Sequence, residues 1–257
     1  MVTAMTLTTP LTELLDIRHP VLLAPMEKVS GGALAAAVSN AGGLCLIGGG
    51  YGDAEWLEAE FARAGAARVG VGFITWSLAR QPALLDLALE HRPAAVMLSF
   101  GDPNPFASAI KDAGAKLILQ VQSLAQARAA AQAGADALTI SNTIPAMAID
   151  VTSRTPVLGA ITGGLSGPGL LPVSLALVYQ AVQVVDLPII GVGGIFSAED
   201  ALQYFLAGAT AVQIGSANLA DLWAPVNILR QLEGFLREEG AGNLKEIIGA
   251  AQVKAPV

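Results

Sequence analysis

Two short glycine loops, Gly191-Val192-Gly193-Gly194 and Gly215-Ser216-Ala217-Asn218, carry the residues best suited to hold a ligand. Each follows an apolar run that reads as a buried strand, Pro188-Ile189-Ile190 and Ala211-Val212-Gln213-Ile214, and each precedes a helical pattern. Without a Cβ, glycine lets an anion come up against main-chain N–H groups, and a helix start behind the loop adds partial positive charge. Tight turns alone also use glycine, but two such loops on neighbouring strand ends predict a phosphate site. A third cluster, Gly163-Gly164-Leu165-Ser166-Gly167, precedes another helical stretch, where Gly163 and Gly164 are placed to wrap the same ligand.

Other side chains with chemistry to offer are few. Ala24-Pro25-Met26 ends the first strand pattern, and Met26 at that rim suits the edge of a flat ring. Glu27 and Lys28 follow; an inward Lys28 would balance negative charge or activate a substrate, whereas most surface lysines are only solvated. Asn142 and Thr143 end the sixth strand, where an amide can bind a carboxylate or carbonyl without titrating. Asp102 is the one carboxylate considered as a base, in competition with capping the helix that follows. Catalytic candidates are therefore Asn142, Lys28 and Asp102. His19 and His91 fall at the opposite end of their strands and helices, Cys45 lies inside a strand, and these three are too scattered to bind a metal. Trp76 and Phe100 line the same mouth or pack beneath loops.

The elements that position these residues recur. A helix end, then glycine, then a strand appears at Ala41-Gly42, Ala64-Gly65, Ala113-Gly114, Ala133-Gly134 and Ala207-Gly208. Strands are expected at residues 21–25, 44–48, 69–74, 95–100, 117–121, 137–141, 189–192 and 211–214. Helices are expected at 31–40, 54–64, 82–91, 105–113, 124–133, 170–185, 198–207 and 224–239, several with caps such as Asp53, Ser123 and Ser197. Strict alternation of eight units implies parallel strands, right-handed crossovers and a closed (β/α)8 TIM barrel, a single domain over residues 1–257. The sixth strand-to-helix connection, 142–169, is far longer than usual, and a small hairpin is expected around Ser153-Arg154, on the catalytic face as a lid.

Composition narrows the class. The chain has 257 residues, 53% hydrophobic and 14% charged, as parallel strands covered on both faces require. A net charge of −7 argues against nucleic acid. No apolar run reaches the roughly 18 residues of a membrane span. The start, Met1 to Pro10, has neither a basic nor an apolar signal segment, and a single cysteine excludes an internal disulfide, so a cytoplasmic location is expected. A small-molecule substrate is the expected partner, with a homodimer as the assembly left open.

These motifs carry a double resemblance. Pro20-Val21-Leu22-Leu23-Ala24-Pro25-Met26, Gly48-Gly49-Gly50-Tyr51-Gly52-Asp53, Gly70-Val71-Gly72-Phe73 and Leu98-Ser99-Phe100-Gly101-Asp102-Pro103 resemble nitronate monooxygenase, the 2-nitropropane dioxygenase family. Asn142-Thr143, Met147-Ala148-Ile149-Asp150, Gly163-Gly164-Leu165-Ser166-Gly167-Pro168, the 188–194 phrase and Val212-Gln213-Ile214-Gly215-Ser216 resemble class 1 dihydroorotate dehydrogenase. The join is expected near Gly134-Ala135-Asp136-Ala137, making residues 1–135 one half and 136–257 the other, as in a chimera of two barrels.

The resemblance implies an FMN cofactor and electron transfer between a small organic substrate and flavin N5. It implies Gly193, Gly194, Gly215 and Ser216 at the phosphate with Gly163 and Gly164 nearby, Ala24 and Met26 on the isoalloxazine, and Gln120 at its polar edge. It also implies losses. The nitronate enzymes use a histidine where Asn142-Thr143 stands, and the dehydrogenases a cysteine or serine base on an earlier loop where this chain has none. Ala146, Ala160 and Leu171 stand where glycine, asparagine and lysine are expected. Two alternatives follow: a flavin-binding scaffold lacking a complete catalytic set, and a phosphate-ester lyase or isomerase on the same barrel.

Overall fold

The computed structural model describes residues 7–253. Its strands are β1 (Val21–Leu23), β2 (Leu44–Gly50), β3 (Gly70–Ile74), β4 (Ala95–Ser99), β5 (Lys116–Val121), β6 (Ala137–Ile140), β7 (Ile144–Ala146), β8 (Ile149–Asp150), β9 (Thr155–Pro156), β10 (Gly163–Leu165), β11 (Ile189–Val192) and β12 (Ala211–Ile214). Its helices are α1 (Pro10–Leu15), α2 (Gly32–Asn40), α3 (Ala54–Ala64), α4 (Thr75–Leu78), α5 (Ala83–Glu90), α6 (Asn104–Asp112), α7 (Leu124–Gln132), α8 (Leu171–Ala181), α9 (Ala198–Leu206), α10 (Ala217–Ala220) and α11 (Ala224–Glu238).

Eight parallel strands close in the order β1-β12-β11-β6-β5-β4-β3-β2, so the expected (β/α)8 barrel is present. Closure is made by β1, whose Leu22 and Leu23 pair with Gln213 and Ile214 on one side and with Leu44 and Cys45 on the other. This sets the end of the first strand beside the last glycine loop. Among the described residues no helix is long and apolar enough to cross a membrane.

Alternation along the strands separates two cores. Leu22, Leu44, Leu46, Met97, Ile118 and Ile190 fill the lumen, and Leu11 and Leu15 of α1 join the same cluster, so α1 closes the floor of the barrel. Val21, Leu23, Cys45, Ile47, Val71 and Val96 point the other way, into the shell beneath the helices. The α1 helix is held by a capping box in which Thr9 and Thr12 satisfy each other's backbone N–H.

The excursion between β6 and α8 is more ordered than a single short hairpin. The expected pair is present as β8 and β9, with Asp150 opposite Thr155. A second antiparallel ribbon, β7 with β10, lies nearer the barrel and pairs Ile144 with Leu165 and Pro145 with Gly164. Its pairing exploits glycine: a Cβ on Gly164 would meet Thr143 Oγ1 at 2.3 Å.

Close helix packing also rests on glycine where α2 meets α3. The Gly32 N–H donates to Glu60 Oε2 at 2.7 Å, and a Cβ there would lie 1.8 Å from the Glu60 backbone oxygen. No rotamer relieves a clash with main chain, so Gly32→Ala should cost roughly 1–3 kcal/mol of stability. Urea unfolding should give a lower midpoint with an unchanged slope.

Candidate functional site

The C-terminal ends of the barrel strands open into a cavity of about 360 Å³, within the size range of small-molecule sites. Its most constrained wall is the tip of β11. Gly193 and Gly194 have φ of 130° and 70°, a region that L side chains avoid. Cβ atoms there would meet Ser174 Oγ at 2.4 Å and Leu171 N at 2.6 Å. Beneath them the fully buried Tyr204 packs against Gly191 and donates its Oη–H to Gly193 O at 2.7 Å. Burial pushes the Tyr204 phenol up, which keeps it protonated and donating.

The adjacent tip of β12 continues the wall. Gly215 and Ser216 lead into the one-turn helix α10, whose N-terminus has no side-chain cap. Asn218 Nδ2 anchors the turn by donating to Gly215 O at 3.1 Å. Among the described residues, the N–H groups of Gly193, Gly194, Ile195, Gly215 and Ser216 donate to no protein acceptor, and all five residues line the cavity. Such a cluster of free donors, with glycines that leave room for close approach, fits a phosphate group. The helix after the first loop does not share in this: α9 is closed by its own capping box, with Ser197 accepting from Asp200 N and Asp200 from Ser197 N. The positive terminus belongs to α10, a short element the sequence pattern did not reveal.

The adjoining wall joins β5 and β6, β6 being the strand that pairs with β11. Asn142 Nδ2 donates to Gln120 Oε1 at 2.6 Å, Gln120 Nε2 donates to Ser141 O at 3.1 Å, and Asn142 Oδ1 accepts from Thr143 N at 2.6 Å. Below, Ser141 Oγ and Ser174 Oγ share a buried 2.7 Å bond. Ala24 and Met26, just past the end of β1, line the cavity on the other side of the glycine loops, next to β12.

The structure thus brings Ala24, Met26, Gln120, Asn142, Gly193, Gly194, Gly215 and Ser216 to one cavity. It does not bring Lys28, Asp102, Gly163 or Gly164 to that lining. Lys28 takes a left-handed turn conformation, φ 56°, and is exposed to solvent. Asp102 borders a separate hollow of about 210 Å³, where it accepts from Asn104 N at 3.0 Å and from Asn104 Nδ2 at 2.7 Å. Gly163 and Gly164 are consumed by the β7–β10 ribbon, and Ser166 and Gly167 line the cavity instead. His91 stacks on Phe61 and pairs with Glu58, while His19 is half-buried ahead of β1, where burial lowers its pKa. The Cys45 thiol is buried and pushed up by desolvation. Phe100 lines the mouth, whereas Trp76 stands outside it against Tyr51 and Arg80.

Lining residues outside the sequence-based candidates include Ile195, Glu27 beside Lys28, Ser141 at a strand end, and Gln213. Gln213 is 1% exposed, its Oε1 has no partner, and its Nε2 reaches only Met97 Sδ at 4.0 Å. A signal existed: Gln213 shares strand parity with Ala211, which belongs to the lumen cluster, so a polar residue there must face the barrel interior.

Comparison with known proteins divides the chain. Residues 8–69 match the family model of nitronate monooxygenase and residues 114–236 that of dihydroorotate dehydrogenase, so the two-part arrangement is present. The second match begins upstream of Gly134. The catalytic subunit of dihydroorotate dehydrogenase B (NAD(+)) from Geotalea uraniireducens is 49% identical over 144 residues, 56% of this chain and 47% of that protein. Its counterpart from Geotalea daltonii is 51% identical over 127 residues, 49% of this chain and 42% of that protein. The chain therefore spans about half the length of the curated relatives it matches. Among solved structures, FabK from Thermotoga maritima superposes with a TM-score of 0.66 at 29% identity, covering 84% of this chain and 63% of that one. Nitroalkane oxidase from Streptomyces ansochromogenes gives 0.63 at 25% identity, covering 82% and 68%.

The Tyr204 anchor is open to test. Tyr204→Phe keeps the ring and removes one bond, so stability should fall by about 1 kcal/mol. Amide exchange at Gly194 and Ile195 should quicken severalfold as the loop loosens.

Proposed function

We propose that this chain is an FMN-binding flavoprotein oxidoreductase whose substrate meets the flavin in the mouth of the barrel. The observation that carries this reading is the group of acceptor-free N–H donors on Gly193, Gly194, Ile195, Gly215 and Ser216 around one cavity. The likeness to nitronate monooxygenase and dihydroorotate dehydrogenase, both FMN-dependent barrel families, supports it. Bound there, FMN supplies a two-electron acceptor at N5.

The chain's own residues do the rest. Gly193, Gly194, Gly215 and Ser216 hold the phosphate through main-chain N–H groups, with Gly167 closing the site in place of Gly163 and Gly164. Ala24 and Met26 offer an apolar surface to the isoalloxazine. Gln120 has one Nε2 hydrogen beyond its bond to Ser141 O, and turns it to the ring's polar edge. Asn142, fixed by Gln120 and Thr143, orients the substrate with its remaining Nδ2 hydrogen. Lys28 and Asp102, outside the cavity, have no part in this mechanism.

The purified protein should carry the visible absorption of oxidised flavin or acquire it on adding FMN. Gly215 provides the decisive variant, because a Cβ there meets only Ala24 Cβ at 3.9 Å. Gly215→Ala should still fold and bind. Gly215→Asp should fold equally well but set a carboxylate against the phosphate, weakening FMN by about 100-fold or more. A protein that takes up no FMN, or a Gly215→Asp variant that binds it normally, removes the proposal.

Assembly and compartment complete this reading. The excursion exposes Ile149, Val151, Val157 and Ile161 at 58%, 84%, 61% and 59%, with only Asp150 and Arg154 charged between residues 144 and 165. An apolar surface with one charge of each sign suits a second copy of the same chain, giving a homodimer, and the free, buried Cys45 suits a cytoplasmic setting. Light scattering should give the mass of two chains, falling to one in Val151→Asp; a monomeric parent protein retires the dimer.

A further inference from the structure

Among the described residues, Glu27 is the one ionisable side chain that lines the cavity. The remaining polar lining is neutral, and includes Ser99, Gln120, Asn142, Thr143 and Gln213. Among the described residues, no lysine, arginine or histidine nitrogen comes within 4.0 Å of the Glu27 carboxylate. Lys28 next to it is turned to solvent, and Arg80 sits over the Trp76 ring outside the lining.

The placement of Glu27 is built into two strands. The turn after β1 is tied by Ser30, whose buried Oγ donates to Ala24 O at 2.5 Å and accepts from Met26 N at 3.1 Å. Val29 N and Ser30 N both donate to Met26 O, at 3.1 and 2.8 Å, which closes the turn tightly. Facing it, β2 ends in three glycines. A Cβ on Gly48 would stand 2.5 Å from Met26 O, and one on Gly50 would stand 2.4 Å from Glu27 Cγ. The glycines of β2 thus make room for the turn and for the Glu27 side chain lying across Gly50, itself a lining residue.

The charge pattern has a consequence for what the cavity accepts. The phosphate site is composed of neutral N–H groups, so a bound phosphate leaves the cavity more negative, and Glu27 adds to that. A carboxylate or nitronate substrate would meet two like charges and no cationic side chain on the lining. A cationic nitrogen would meet a free carboxylate at the rim, while Phe73, Ile74, Met97, Phe100 and Leu219 would receive an apolar body.

Building on the flavin site proposed above, we infer that the substrate is an amine with an apolar body, its ammonium group received by the Glu27 carboxylate. Glu27 is exposed at the rim, so water screens the attraction and the selectivity is moderate.

Benzylammonium and benzoate are matched probes of opposite charge, titrated calorimetrically at neutral pH into the parent protein, Glu27→Gln and Glu27→Lys. The parent should bind benzylammonium about tenfold tighter than benzoate or better. Glu27→Gln should narrow the difference to whatever the phosphate alone leaves, and Glu27→Lys should narrow it further or reverse the order. Equal affinities in the parent, including no heat from either probe, overturn the inference, as does a preference that survives undiminished in Glu27→Gln. Flavin content is read separately by absorbance. A parent protein without FMN uptake removes the cofactor reading, and the same titration on that flavin-free protein still decides whether Glu27 selects for positive charge.

Discussion

A backbone N–H left without an acceptor inside a fold is tolerated only where something else can reach it. At the tips of β11 and β12 five such groups stand together, and much of the surrounding structure serves to keep them there. Positive φ at Gly193 and Gly194 turns the chain back on itself. Tyr204 and Asn218 hold the carbonyls of Gly193 and Gly215 from below, and Ser174 and Leu171 occupy the space that side chains at 193 and 194 would need. The capping box of α9 satisfies its own donors, so the free ones are confined to the cavity side.

Barrel closure then assembles a site from segments far apart in the chain. Pairing of β1 with β12 sets Ala24 beside Gly215, far away in the sequence, and Met26 and Glu27 line the same cavity. The segment matching nitronate monooxygenase, residues 8–69, supplies that rim and the glycines of β2 that accommodate it. The segment matching dihydroorotate dehydrogenase, residues 114–236, supplies the glycine loops and Asn142. The two matched segments meet in one hydrophobic shell, in which Val21 and Leu23 belong to the same cluster as Val212 and Ile214. Among the described residues no histidine, cysteine, lysine or arginine lines the cavity, which leaves Glu27 as its single ionisable side chain.

The sequence was most readable where one physical signal dominated. Parallel strands buried on both faces are written as short apolar runs, and glycine after an alanine-rich helix marks a stop, so β11, β12 and α3 have the expected bounds to the residue. Signals with two causes misled. Gly163 and Gly164 look like a phosphate loop because they precede a helix, but glycine equally permits the tight β7–β10 ribbon, and that use prevails. Asp102 satisfies the nearby Asn104 rather than facing the cavity, as polar residues beside a helix start commonly do.

By itself, the order and composition of the residues determined the eight-fold alternation, the closed barrel and the two loops with bare backbone, because local propensity and glycine's missing Cβ act over a few residues. Only the tertiary structure decided which of two adjacent charged residues joins the site. Glu27 and Lys28 are neighbours in a turn, and the left-handed conformation at Lys28, together with the space left over Gly50 by another strand, puts one on the cavity lining and leaves the other in solvent. That choice depends on contacts between strands brought together by closure, which no local pattern encodes.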